Sequence, residues 1–291
     1  MCGIVGFINC GNAAELNNAL LAVQHRGPDF KDIKWFDKNQ SGLGHSRLSI
    51  IDLSNNGQQP MYDNLSGNWI VYNGEIYNYK SIRDELKFEG ISFYSSSDTE
   101  VLLKAYGVWG NEVLKKLNGM FSFAIYNEKT NDVFICRDRL GIKPLYYYHK
   151  DNELVFASEI KSILEYTGYK KEIDLFSIQT PVHFQAGSRT GFKNIHKLEA
   201  GYYINFKNGK LKKEKYWDIY PSENNLTYNQ VFEELDYLLN DSVKLQMISD
   251  APIGSLLSGG LDSSIISVLM QKKSHQILII TVKNYFLKID L

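Results

Sequence analysis

The chain opens on a short apolar run, Ile4 to Ile8, which reads as a strand. Asn12 followed by Glu15 is a capping-box pattern, and Ala13, Leu16, Leu20 and Val23 then mark one helical face. From His25 to Pro60 the sequence is rich in Gly, Asp, Asn and Ser, which predicts mostly loops, with a strand at Arg47 to Ile51. Trp69 to Asn73 predicts a further strand, followed by a helix through Ile82 and Leu86 that stops near Gly90. Ser97 with Glu100 makes a second capping box, and Val101, Leu102, Ala105 and Trp109 continue it as a helical stripe. Met120–Tyr126 and Val133–Arg137 flank a turn and predict a hairpin. Leu145–Tyr148 with Leu154–Ala157, and Tyr202–Phe206 with Leu211–Tyr216, repeat that arrangement. Paired strands with a few helices between them fit an α+β fold of antiparallel sheets covered by helices, not a regular parallel sheet.

The grammar changes after Trp217. Pro221-Ser222-Glu223-Asn224-Asn225 reads as a linker. Thr227 with Gln230 then caps a long amphipathic helix carrying Phe232, Leu235, Leu239 and Val243. A buried-strand pattern at Ile253–Leu257 leads into a glycine loop, Ser258 to Asp262, and a helix over Ser263 to Gln271. Ile277 to Val282 is a second β-branched strand. This is the start of a doubly wound α/β segment, and about 75 residues are too few to close such a sheet. The predicted division is therefore 1–217 and 218–291.

Composition narrows the class of function. The 291 residues carry 32 Lys+Arg against 33 Asp+Glu, a net charge of -1, which excludes a strongly basic nucleic-acid footprint. No apolar run approaches the roughly 20 residues that span a bilayer, and the N-terminus lacks the basic region of a signal peptide. The three cysteines, Cys2, Cys10 and Cys136, have no Cys-x-x-Cys spacing, so neither a disulfide framework nor a metal site is expected. The expected compartment is the reducing cytosol, with no nucleic-acid or membrane partner.

Cys2 stands out. With Met1 removed, a thiol and a free α-amine share one carbon, and an α-amine of pKa about 7.7–8.0 can serve as a base near neutrality. Arg47 can hold a substrate carboxylate bidentately. Asn73-Gly74-Glu75, directly after a strand, offers a side-chain amide and an unhindered N–H as oxyanion donors, and a carboxylate for an ammonium group. Asp98 in the first turn of its helix favours the helix dipole. Each is weak alone.

Their order along the chain is specific. Met1-Cys2-Gly3-Ile4-Val5-Gly6, His25-Arg26-Gly27-Pro28-Asp29, Gly44-His45-Ser46-Arg47-Leu48-Ser49-Ile50, Tyr72-Asn73-Gly74-Glu75-Ile76-Tyr77-Asn78 and Ser97-Asp98-Thr99-Glu100 follow one another. Leu117-Asn118-Gly119-Met120-Phe121, then Arg137 to Tyr147, then Ala157-Ser158-Glu159-Ile160-Lys161 continue the series. From Met1 to about Gln271 the chain resembles the glutamine-hydrolysing asparagine synthetase family. The resemblance implies a class II glutaminase domain of the N-terminal-nucleophile hydrolase fold, a four-layer αββα sandwich. It implies Cys2 as nucleophile, Asn73 and Gly74 as the oxyanion hole, and Arg47 with Asp98 on the glutamine α-carboxylate and α-amine. Leu48, Ser49, Ile50, Ile51 and Glu75 would complete the glutamine site. Glutamine would become glutamate and ammonia through a γ-glutamyl thioester, with no cofactor. His25 and His45 are not needed as bases and are read as loop structure.

Ser258-Gly259-Gly260-Leu261-Asp262-Ser263-Ser264 resembles the pyrophosphate loop of the family's synthetase domain, and it is not a Walker A pattern. By that match Leu257 would touch the adenine nucleotide and Ser258 to Ser264 its phosphates. The family reaction would use ATP and Mg2+ to adenylate aspartate or another carboxylate acceptor, and is compatible with a homodimer. The chain stops about 27 residues past the loop, and His275 to Leu291 loses the resemblance. The expectation is an intact glutaminase half and an incomplete synthetase half, as a premature stop, a frameshift or a deliberate fragment would leave. The alternative is a non-catalytic remnant, or a subunit that donates ammonia to a separate partner.

Overall fold

A computed structural model describes residues 1–179, 187–223, 225–274 and 278–281. The described chain divides into two compact units, Met1–Tyr220 and Pro221–Leu291.

In the first unit the elements run β1 (Gly3–Ile8), α1 (Ala13–Ala22), β2 (Phe30–Phe36), β3 (Ser41–Arg47), β4 (Met61–Asp63) and β5 (Asn68–Ile76). Three helices follow, α2 (Tyr79–Phe88), α3 (Asp98–Trp109) and α4 (Val113–Lys116), and then β6 (Gly119–Asn127), β7 (Asp132–Arg137), β8 (Tyr146–Lys150) and β9 (Glu153–Ala157). Short helices α5 (Ile160–Ile163) and α6 (Leu175–Gln179) precede β10 (Ile195–Lys197), β11 (Tyr202–Lys207) and β12 (Lys210–Lys215). They form two six-stranded sheets, ordered β10-β8-β9-β1-β3-β2 and β12-β11-β7-β6-β5-β4. Every pairing in both sheets is antiparallel.

Alternation along β1 shows how the layers stack. Ile4 and Ile8 enter a core shared by both sheets, with Leu43, Val71, Ala124, Tyr126 and Phe156. Val5 and Phe7 point the other way, onto Leu16, Ala19 and Leu20 of α1. A strand buried on both faces has no polar alternation, which is why it reads as one apolar run. On the second sheet α3 packs against β5, and its Val101, Leu102, Leu103 and Ala105 are all buried. The order is helix, sheet, sheet, helix, the αββα sandwich that the sequence resemblance implies.

The His25–Pro60 stretch departs from its expected loops. It contains β2 and β3, and Arg47 closes β3 instead of opening a strand; residues 48–51 are irregular. The reason is steric. β3 reads Ser-Gly-Leu-Gly-His-Ser-Arg, fully buried. A Cβ at Gly42 would lie 2.5 Å from the Trp35 ring and 2.6 Å from Leu16, and one at Gly44 would lie 2.7 Å from Val5. The packing that buries the strand removes the β-branched residues by which strands are recognised.

His45, expected in a loop, lies within β3, and its Nε2 is 3.0 Å from Tyr72 O on β5 of the facing sheet. The carbonyl can only accept, so Nε2 carries a proton. Burial pushes its pKa down to about 3, against a weaker upward pull from the Tyr72 bond.

The second unit holds α7 (Tyr228–Gln246), β13 (Gly254–Leu257), α8 (Leu261–Lys273) and β14 (Leu278–Thr281), with β13 and β14 parallel. Thr227 and Gln230 form both bonds of the capping box. Its core is small: Val243, Leu269 and Met270 with Leu239, Met247 and Ile253 against them. The ends of the strand expected over Ile277 to Val282 lie outside the described residues. Among the described residues no helix is long and apolar enough to cross a membrane.

The inter-sheet histidine sets a pH dependence. Unfolded, His45 protonates near pH 6.5, whereas folded it stays neutral to about pH 3. Between those values the unfolded state binds the extra proton, so the contribution is fully present above about pH 6.5 and is lost as pH falls. His45→Gln keeps a donor for Tyr72 O without a titrating ring. Its Tm should therefore fall less steeply than the wild type's between pH 6.5 and 4. Parallel curves would contradict a buried neutral imidazole.

Candidate active site

Strand register brings the predicted residues to one end of the sandwich. Gly3 of β1 pairs with Ser46 of β3, which sets Cys2 beside Arg47 and Leu48. The Leu48 N–H points at Cys2 Sγ at 3.4 Å, and Leu48 O lies 3.6 Å from the same sulfur. Asn73 pairs with Ser122 near the end of β5, and Asp98 opens α3. A single cleft is lined by Cys2, Arg47, Leu48, Ile50 and Ile51 from one side. Asn73, Gly74, Glu75 and Asp98 line it from the other. Ser49 does not line it; its N–H is donated outward to Asp29 Oδ2 at 2.7 Å.

Each polar group in the cleft has a distinct electrostatic setting. Burial pushes the Cys2 thiol above its ordinary pKa, only partly offset by the Leu48 N–H. The nearby α-amine, here on Met1, is pushed below its ordinary value by burial. Arg47 is buried, with Nη1 on Ser54 O at 2.7 Å and Nη2 on Asp52 O. Asp98 is also buried and accepts from Tyr72 Oη at 2.8 Å and the Ile76 N–H at 3.0 Å. Burial nevertheless raises its pKa, which marks a carboxylate suited to a cationic partner.

Asn73 is 1% exposed, and among the described residues its Nδ2 has no hydrogen-bond partner. An unpartnered buried amide typically costs 1–3 kcal/mol, so such groups need a reason to persist. Gly74 follows it, and a side chain there would collide with the Met120 carbonyl at 2.2 Å.

Sequence reasoning missed several cleft residues: Gln59, Tyr72, Thr99 and Lys143. Gln59 accepts the Tyr72 N–H at 2.6 Å and reaches Thr99 Oγ1 at 3.2 Å, so it ties β5 to α3. Lys143 arrives on a loop built by its neighbours. Asp138 accepts N–H bonds from Leu140, Ile142 and Lys143, while the Arg137 guanidinium holds the carbonyls of Gly141, Lys143 and Leu198. Burial lowers the pKa of Lys143 and raises that of Glu75, and each charge opposes the other's shift. The Arg137–Pro144 motif was visible in the sequence, but nothing in its spacing aims it at Cys2. Arg26 is a similar case. Its Nε holds Cys2 O at 2.9 Å, and Nη1 pairs with Glu159 at 3.0 Å.

In the second unit Ser258 to Gly260 join β13 to the N-terminus of α8, with Gly259 at φ +85°. The hydroxyls of Ser263 and Ser264 turn back to Gly260 O at 3.1 and 2.8 Å. Leu257 ends β13, and Asp262 lies in the first turn of α8. None of these residues is buried.

Comparison with known proteins agrees with this geometry. The model of the family described as glutamine amidotransferase domain matches residues 1–217, and that described as asparagine synthase matches residues 234–285. Asparagine synthetase [glutamine-hydrolyzing] 3 of Bacillus subtilis is 33% identical over 92% of this chain and 45% of its own. Asparagine synthetase B [glutamine-hydrolyzing] of Escherichia coli is 36% identical over 94% of this chain and 45% of its own. The chain spans about half the length of the curated relatives it matches. The solved structure of glutamine phosphoribosylpyrophosphate amidotransferase from B. subtilis, complexed with ADP and GMP, superposes with a TM-score of 0.56 at 18% identity. It covers 98% of this chain and 67% of that one, a likeness of fold. The chain belongs to the glutamine amidotransferase domain family, with the start of an asparagine synthase domain behind it.

Proposed function

We propose that residues 1–217 form a glutaminase domain that converts glutamine to glutamate and ammonia at Cys2. The observation that carries this reading is the unpartnered Nδ2 of buried Asn73, in one cleft with a thiol, a guanidinium and a buried carboxylate. Arg47 takes the substrate α-carboxylate and Asp98 its α-ammonium, with Glu75 beside them. The side-chain amide then reaches Cys2.

A thiol whose pKa is raised by burial is not a nucleophile at neutral pH without a base. The base in this reading is the α-amine of Cys2, so the mechanism requires that Met1 be removed. The amine takes the thiol proton as sulfur attacks the amide carbon. Asn73 Nδ2 and the Gly74 N–H stabilise the tetrahedral oxyanion. The ammonium returns its proton to the departing nitrogen, and ammonia leaves a γ-glutamyl thioester. Water, deprotonated by the same amine, hydrolyses the thioester and restores the thiol.

Residues 218–291 are assigned as the beginning of a synthetase domain that would activate a carboxylate such as aspartate with ATP and Mg2+. Leu257 to Ser264 fit the phosphate side of that site: a glycine loop opens the 13-residue helix α8 and leaves N–H groups toward solvent. Leu256, Leu261 and Leu278 are more than 60% exposed, so the adenylating chemistry is assigned to a larger synthetase fold of which this unit is part. We place the reaction in the cytosol, in keeping with three cysteines that form no disulfide.

Glutamate release by the purified chain tests the glutaminase assignment. Asn73→Ala should lower kcat by about 10²–10³ with a smaller change in KM, as for loss of one oxyanion donor. Arg47→Lys keeps the charge but loses the planar fork, and should act chiefly on KM. Exchanged signatures would overturn both role assignments, and a wild-type chain inert toward glutamine would overturn the glutaminase.

A further inference from the structure

Asp52 belongs to none of the roles described so far, yet it touches both ends of the cleft. Its backbone sits in the left-handed region, φ +56°, a conformation that aspartate tolerates better than most residues. That turn aims the Asp52 carbonyl at Arg47 Nη2, and the Ser54 carbonyl takes Nη1 at 2.7 Å. The carboxylate works in the opposite direction. Oδ1 accepts the Ser54 N–H at 3.1 Å and the Ser54 hydroxyl, which closes the turn. Oδ2 accepts the Ser96 N–H at 2.8 Å, across 44 residues of sequence.

Ser96 lies two residues before Asp98. The N–H groups of Tyr94 and Ser95 are held from within their own segment by Glu100, at 3.0 and 2.7 Å. The Ser96 N–H is instead held by the loop that wraps Arg47. A longer bond, Asn56 Nδ2 to Tyr94 O at 3.4 Å, runs parallel to it. Asp52 is only 6% exposed. Burial pushes its carboxyl up, but the bonds from Ser54 and Ser96 outweigh that and hold it below the usual aspartate value.

We propose that Asp52 is the positioning residue that sets the spacing between Arg47 and Asp98, the two groups that grip the α-carboxylate and α-ammonium of glutamine. The proposal rests on the glutamine reading of those two residues. A ligand gripped through two groups on one carbon tolerates little error in that distance, whereas one gripped through a single group does not sense it.

Asp52→Gly separates the two roles of the residue. Glycine keeps the left-handed turn and the carbonyl on Arg47, but removes the carboxylate's bonds to Ser54 and Ser96. With L-glutamine, kcat/KM should fall by about 10-fold or more, mostly through KM. Glutaramate lacks the α-amine and engages Arg47 alone, so it should lose less than about 3-fold. Asp52→Asn keeps one acceptor and should lie between wild type and glycine, and it replaces the glycine variant if that one fails to fold. Equal losses on both substrates, or no loss on either, would overturn the proposal.

The reading beneath it has its own control. A wild-type chain that does not discriminate glutamine from glutaramate means that the two-point grip on the α groups fails. Crystal structures then decide on Asp52 independently of activity. The Arg47 Cζ to Asp98 Cγ distance should change by more than about 0.5 Å in the variant. An unchanged distance would overturn the proposal.

Discussion

Strand β1 is hydrogen-bonded along both edges, to β3 and β9, and buried on both faces, and the cleft is built from its first turn of pairing. Ile4 and Ile8 are locked between the sheets while Val5 and Phe7 are locked under α1. A one-residue slip would exchange those faces and drive apolar side chains into the wrong layer. The residue ahead of the strand inherits that certainty. Cys2 cannot drift from Leu48, and Arg26 fixes its carbonyl from a separate loop. A thiol close to a chain terminus would ordinarily fray. Here it is seated by a strand paired on both edges and buried on both faces.

The remaining groups are held in ways that leave their chemistry available. Arg47 spends two donors on the carbonyls of its own loop, which fixes the guanidinium without neutralising it. Asp98 accepts from Tyr72 and Ile76 and, among the described residues, forms no ion pair, and burial raises its pKa. In the proposed function a substrate ammonium would supply the countercharge that such a buried carboxylate favours. Asn73 holds a buried N–H without a partner among the described residues. Each feature costs some stability in the folded chain, and the two-sheet core around it is what sustains that cost.

Much of this was legible in the sequence, and the limits follow from particular residues. Capping signals worked because they are local: Asn12 accepts from the Glu15 N–H, and Ser97 from the Glu100 N–H. Even there the second half of the box was not fixed locally. The Glu100 carboxylate turns to Tyr94 and Ser95 instead of closing on Ser97. β3 escaped because its glycines answer to Trp35, Leu16 and Val5, residues that periodicity cannot see. Cys2, Arg47, Asn73 and Asp98 were found through their ordered motifs, not through any spacing that places them together. Lys143 and Gln59 were missed because their route into the cleft is tertiary, through the Arg137–Asp138 loop and the β5–α3 bridge.

The central claim is that Cys2, with its own amine free, attacks glutamine directly. The most direct test is acid quenching during turnover, followed by mass spectrometry of the N-terminal peptide. The peptide that begins at Cys2 should carry one γ-glutamyl group, lost on treatment with hydroxylamine, and the same peptide with Met1 retained should carry none. Glutamate release at full rate from a chain that keeps Met1, or turnover with no acyl group on Cys2 at any time, would contradict the account.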